Sequence, residues 1–199
     1  MRKDYSLQTN QLIQVVEHCL RLDNFASRIY QLLALNARDD YFSSFWRQIA
    51  EQNEQHVYYW NQLRILANNG SISNLFPDCE PLLHELNLLE SKIKTMAVRC
   101  EGLETVEKAF SAAFKLEFYL LHPVFETLHQ YYRAWTAGAA AVSSYDRHVA
   151  TLFDAVHEQG LTTLELALSG ETLHRLWQEN RRMAIVSHYD ELTGILNRR

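Results

Sequence analysis

The chain has 199 residues, 47% of them hydrophobic, with a net charge of −5 and a pI of about 6.0. That length allows one domain, or one domain plus an extension, with enough apolar material for a core. The acidic balance leaves no basic footprint for nucleic acid, and no apolar run approaches the ~20 residues a membrane span needs. The start, MRKDYSLQTN, has no apolar segment behind its basic residues, so no secretion signal is expected and the protein reads as cytoplasmic. Cys19, Cys79 and Cys100 are odd in number and widely spaced. They are expected to be small buried hydrophobes, not a disulfide framework or a zinc site.

With 6 Gly, 3 Pro and long stretches of 3.6-residue periodicity, the fold is expected to be all-α. A first long helix is predicted from 6 or 10 to 36, with a possible break near Leu22. A second runs from about 39 to 67 and stops at Asn68-Asn69-Gly70. A loop with Pro77 and Pro81 follows, then a shorter crossover helix over about 82–98. A third long helix is predicted over about 103–135, kinked at Pro123, which lacks an amide donor. After small-residue turn chemistry at 136–140, a fourth covers about 141–158 and is stopped by Gly160. A final helix is expected to begin near Glu171, behind Ser169-Gly170.

The apolar faces of the four long helices each carry a polar interruption at mid-length. The first face reads Leu12, Val16, Cys19, Asp23, Ala26, Tyr30, Leu33. The second reads Phe42, Phe45, Ile49, Asn53, His56, Trp60, Leu63. The third reads Val106, Phe110, Ala113, Glu117, Leu120, Val124, and the fourth Ala141, Tyr145, His148, Leu152, Val156. Burying unpaired carboxylates costs several kcal/mol. Asp23 and Glu117 therefore call for partners. A metal ion could serve, and so could direct pairs, Glu117 with His56 or His148, or Tyr145 with His148 or Glu117. The remaining histidines, among them His18, His129 and His174, read as surface or packing residues.

This order of groups resembles the ferritin-like diiron carboxylate proteins, rubrerythrins especially, which draw one Glu each from helices 1 and 3 and a Glu-x-x-His pair from helices 2 and 4. The resemblance implies an antiparallel four-helix bundle with a crossover helix between the second and third long helices. It implies iron, mono- or dinuclear, at Asp23, Asn53, His56, Glu117, Tyr145 and His148. Asn53 and Tyr145 stand where that family has Glu. These two departures remove bridging carboxylates and count against a diiron oxidase or peroxidase.

The last ten residues read DELTGILNRR. Asp190, Leu192, Thr193, Gly194, Asn197, Arg198 and Arg199 resemble the D-x-L-T-G-L-x-N-R-R run that opens the GGDEF family, the diguanylate cyclases. The resemblance implies a sensory bundle over 1–168, a signalling helix over 169–189 and the beginning of a GGDEF domain over 190–199. The parts that bind GTP are expected beyond Arg199, so this chain alone should make no cyclic dinucleotide. Family members condense two GTP on two domains, which implies a homodimer. Leu173, Leu176, Asn180 and Met183 at three-and-four spacing suggest a short coiled-coil seam for it. The function expected is a regulatory sensor controlling a cyclase that makes c-di-GMP, responsive to redox state or oxygen through iron. The alternative is a metal-free dimerisation or small-ligand-binding module with the same output.

Overall fold

The computed structural model describes the backbone of residues 2–71, 75–76, 78–103, 105–136, 143–161 and 163–188, and side chains within 11–132 and 148–183 of those ranges. Among the described residues there are seven α-helices and no strand, so the protein is all-α. They are α1 (Arg2–Asn36), α2 (Asp40–Asn68), α3 (Glu80–Cys100), α4 (Val106–Leu120), α5 (Pro123–Thr136), α6 (Ser143–Glu158) and α7 (Leu164–His188). No helix among the described residues is long and apolar enough to cross a membrane. The chain divides into two compact units, Met1–Ala109 and Phe110–Arg199.

In the first unit α1 is the central element and packs against both α2 and α3. Its inward face, Val15, Val16, Cys19, Leu22, Ala26, Ile29 and Tyr30, is fully buried. Leu22 lies inside this unbroken helix, so the possible break there does not occur. The short Ala37-Arg38-Asp39 connection turns the chain into α2. Asp39 is extended (φ −106°, ψ 135°) and its carboxylate accepts from the amides of Tyr41 at 2.7 Å and Phe42 at 3.3 Å. That satisfies two donors the helix start would otherwise leave open. At the far end Gly70 (φ 67°) takes the left-handed conformation. Its amide bonds to the Ala67 carbonyl at 3.1 Å, and the Ser71 amide to that of Leu66 at 3.0 Å. This closing geometry needs a residue without a Cβ, which is why Asn-Asn-Gly was a readable stop.

The second unit departs from the expected boundaries in two places. The third long helix is not kinked at Pro123 but divided there into α4 and α5. Proline has no amide to donate and its ring collides with the preceding turn, yet its fixed φ suits a first helical position, so it starts α5 instead of bending α4. The His122 ring accepts the Val124 amide at 3.3 Å and caps the new start. The final helix begins at Leu164, ahead of the expected Glu171, with Ser169 and Gly170 inside it. Thr163 starts it, its hydroxyl accepting the Leu166 amide at 3.3 Å. Gly170 is a packing residue, not a stop. A Cβ there would lie 3.1 Å from the Phe153 ring and 3.2 Å from the Phe114 ring.

The expected seam on α7 is divided as well. Leu173 is buried, and the Asn180 amide nitrogen donates to the Leu121 carbonyl at 2.7 Å, so both face their own unit. Leu176 and Met183 are exposed, as are Leu164 at the start of the helix and Leu168 about one turn into it. The run Asp190 to Arg199 lies outside the described residues.

Candidate functional site

Five of the six predicted site residues have described side chains, and all five are buried to 2% exposure or less: Asp23, Asn53, His56, Glu117 and His148. Helix periodicity put them on inward faces, and that part of the reading holds residue by residue. Tyr145 lies on α6, one turn before His148, and its side chain is outside the described residues.

The first unit holds Asp23, Asn53 and His56. The Asp23 carboxylate, on α1, accepts a hydrogen bond from the Trp60 indole nitrogen of α2. Indole N–H is donor only, so this pairing suits a buried carboxylate oxygen. The helical pattern places Trp60 on the apolar face as a core residue, and its position one turn after His56 on that face is the signal for this pairing. Cys19 lies one turn before Asp23. Burial first, and the Asp23 charge second, push its thiol well above the usual range. Cys19 is therefore a protonated thiol within the core.

His56 and Asn53 bond to each other on α2, His56 Nδ1 to Asn53 Oδ1 at 3.1 Å. With the amide oxygen facing the ring, Nδ1 carries the proton and Nε2 carries the lone pair. Turning the amide over would put its NH2 toward Nδ1 and move the ring proton to Nε2. Asn53 Nδ2 is buried and has no hydrogen-bond partner among the described residues.

The second unit holds Glu117 on α4 and His148 on α6, both almost fully buried. His148 Nε2 donates to Glu117 Oε1 at 3.0 Å. This is one of the direct pairs the sequence left open.

A further polar cluster escaped the sequence reading. His18, expected at the surface or in packing, is buried against α3, and His129 is buried in α5. Glu90, only 8% exposed, is the hub of the first. Arg21 donates Nε–H to Glu90 Oε2 at 3.1 Å and Nη2–H to His18 Nδ1 at 2.9 Å, and Lys94 Nζ lies 2.7 Å from Glu90 Oε1. His18 Nδ1 also lies 3.1 Å from Glu90 Oε2, so it accepts from the Arg21 guanidinium when it carries the lone pair and donates to the Glu90 carboxylate when it carries the proton. Burial first, then the Arg21 charge, hold His18 below its ordinary value against the pull of Glu90. For Glu90, burial alone would raise the carboxyl, but the hydrogen bonds and charges of Lys94 and Arg21 outweigh it and hold it low. The His18-x-x-Arg21 and Glu90-x-x-x-Lys94 spacings were visible, but only the contact between α1 and α3 joins them.

Among the described residues no three His, Cys, Asp or Glu side chains form a group that could hold a metal ion. The predicted donors are arranged as protein–protein pairs, and such pairs do not by themselves make an iron site, which takes several N and O ligands. No protein-family model matches the chain, and no curated protein matches it.

Proposed function

We propose that this chain is the regulatory, N-terminal part of a GGDEF-family diguanylate cyclase, with a ferritin-like bundle as its sensory region. The observation that carries this reading is the junction at the C-terminal end. The run DELTGILNRR begins at Asp190, directly behind a helix, α7, that extends to His188. A continuous helix is a stiff connection of about 1.5 Å per residue, suited to passing a rotation or shift to whatever follows. The test is a chain in which residues 1–189 precede a GGDEF catalytic domain, with insertions after Arg182. Two extra helical residues rotate the output by about 200°, whereas seven restore the phase to within about 20°. Cyclic dinucleotide formation from GTP should change strongly with two and return with seven. Output indifferent to both insertions would refute a regulatory role for α7.

For the input, the resemblance to diiron proteins proposes iron, while the bonds Asn53–His56, Trp60–Asp23 and His148–Glu117 favour the metal-free module. Each bond already answers a buried polar group that a metal would otherwise serve. Elemental analysis of protein purified without a His-tag separates the two. Stoichiometric iron supports the redox or oxygen sensor, and its absence after growth in iron-replete medium supports the interaction module.

A further inference from the structure

The first unit contains a cavity of about 260 Å3 that neither the polar pairs nor the C-terminal run involves. It opens where α1 ends and α2 begins, beside Leu103, Thr105 and the first turn of α4. Leu33 and Trp46, each 1% exposed, and Ala109, 7% exposed, form its floor, and Phe42, Leu103 and Val106 its walls. The aromatic wall is fixed by its neighbours. Trp46 stacks on Tyr30 at 6.0 Å and takes Phe45 edge-on at 4.9 Å, so it cannot readily collapse into the space.

We propose that this cavity is a binding site for a small, uncharged aromatic molecule of bicyclic size. Volume sets the size: an apolar cavity of roughly 150 Å3 accepts benzene, and this one is larger by about the second ring. Chemistry sets the charge. Among the described rim residues, Asp39 caps α2 through the amides of Tyr41 and Phe42, the Asn36 amide nitrogen donates to the Cys100 carbonyl at 3.0 Å, and the Thr105 hydroxyl accepts the Lys108 amide at 3.4 Å. Arg38, beside Asp39 at the rim, also has an interaction of its own. A charged ligand would be desolvated against carbon without a dedicated partner, which costs several kcal/mol. A neutral aromatic face instead meets Trp46 and Phe42 and displaces water from an apolar surface. The site belongs to the first unit alone and does not depend on the cyclase reading.

The test uses residues 1–199 with indole and naphthalene as probes and benzoate as the charged control. Binding is followed by backbone amide shifts in 33–46 and 103–109 and by the shift of the Trp46 indole N–H. Saturable one-to-one binding of the neutral probes is expected, with benzoate at least tenfold weaker. Two variants fill the space, Ala109→Leu from the floor and Val106→Trp from the half-exposed wall, and each should weaken indole at least tenfold. Should Ala109→Leu fail to fold, Val106→Trp decides. The proposal is overturned if no probe saturates, as when a segment of the chain itself fills the space, or if the filled variants bind as the parent does.

Discussion

Glu117 and His148 show how a single buried pair constrains its unit. Each is almost fully enclosed, and their 3.0 Å bond serves both. Glu117→Ala leaves His148 buried without that acceptor and should destabilise the protein by about 1–3 kcal/mol, whereas Glu117→Gln keeps an acceptor and should be milder. Urea denaturation of the two variants measures the difference, and equal losses would mean that the amide does not replace the carboxylate as the acceptor for His148. The His18–Glu90 cluster should be visible in pH dependence. His18 is held below its ordinary 6.5 in the folded state, so the unfolded chain takes up this proton first. Stability falls as pH drops below about 6.5 toward the folded value. Glu90 is held below its ordinary 4.5, so its contribution is present above that value and is lost on further acidification. Thermal melts from pH 7.5 downward should show both declines. His18→Gln should remove the first and leave the second, and a parent whose midpoint is flat between pH 7 and 5 would contradict the assignment.

At the scale of elements, Gly170 carries the sharpest prediction. Alanine inside a helix gains about 1 kcal/mol over glycine. Here the new Cβ meets Phe114 and Phe153, and Phe114, 2% exposed, has little room to yield. Overpacking of this kind costs about 1–3 kcal/mol, so Gly170→Ala should be neutral or destabilising, and stabilising once Phe114→Leu has made room. A double-mutant cycle by thermal denaturation tests this, and additive effects would show that α7 does not press on Phe114. The same close approach explains why α7 starts at Leu164 and not behind Ser169-Gly170. Ser-Gly reads as a helix boundary from local chemistry, but a glycine can also be required where another element comes near.

The whole molecule divides its stability unevenly within its first unit. The middle of α1 is enclosed by α2 and α3, while α3 leaves Leu88 and Val98 in solvent at 49% and 68% exposure. Amide exchange should therefore be slowest from Val15 to Tyr30 and faster along the outer turns of α3, because opening α3 exposes less apolar surface than releasing α1. Comparable protection in both helices would show that the first unit opens only as a whole.

Periodicity alone determined the all-α class, the inward positions of Asp23, Asn53, His56, Glu117 and His148, and the stops at Gly70 and Gly160. These depend on local geometry, since one turn of helix fixes which residues share a face and a left-handed terminus requires a particular residue type. Tertiary structure decided what local geometry does not contain. It gave Trp60 to Asp23, His148 to Glu117, and Arg21 to both His18 and Glu90. It turned Leu173 and Asn180 inward while leaving Leu176 and Met183 outside. A sequence states which faces are apolar, but a buried polar group takes whichever partner the neighbouring helix brings within hydrogen-bond reach. That choice is made by the packing of helices distant in the chain.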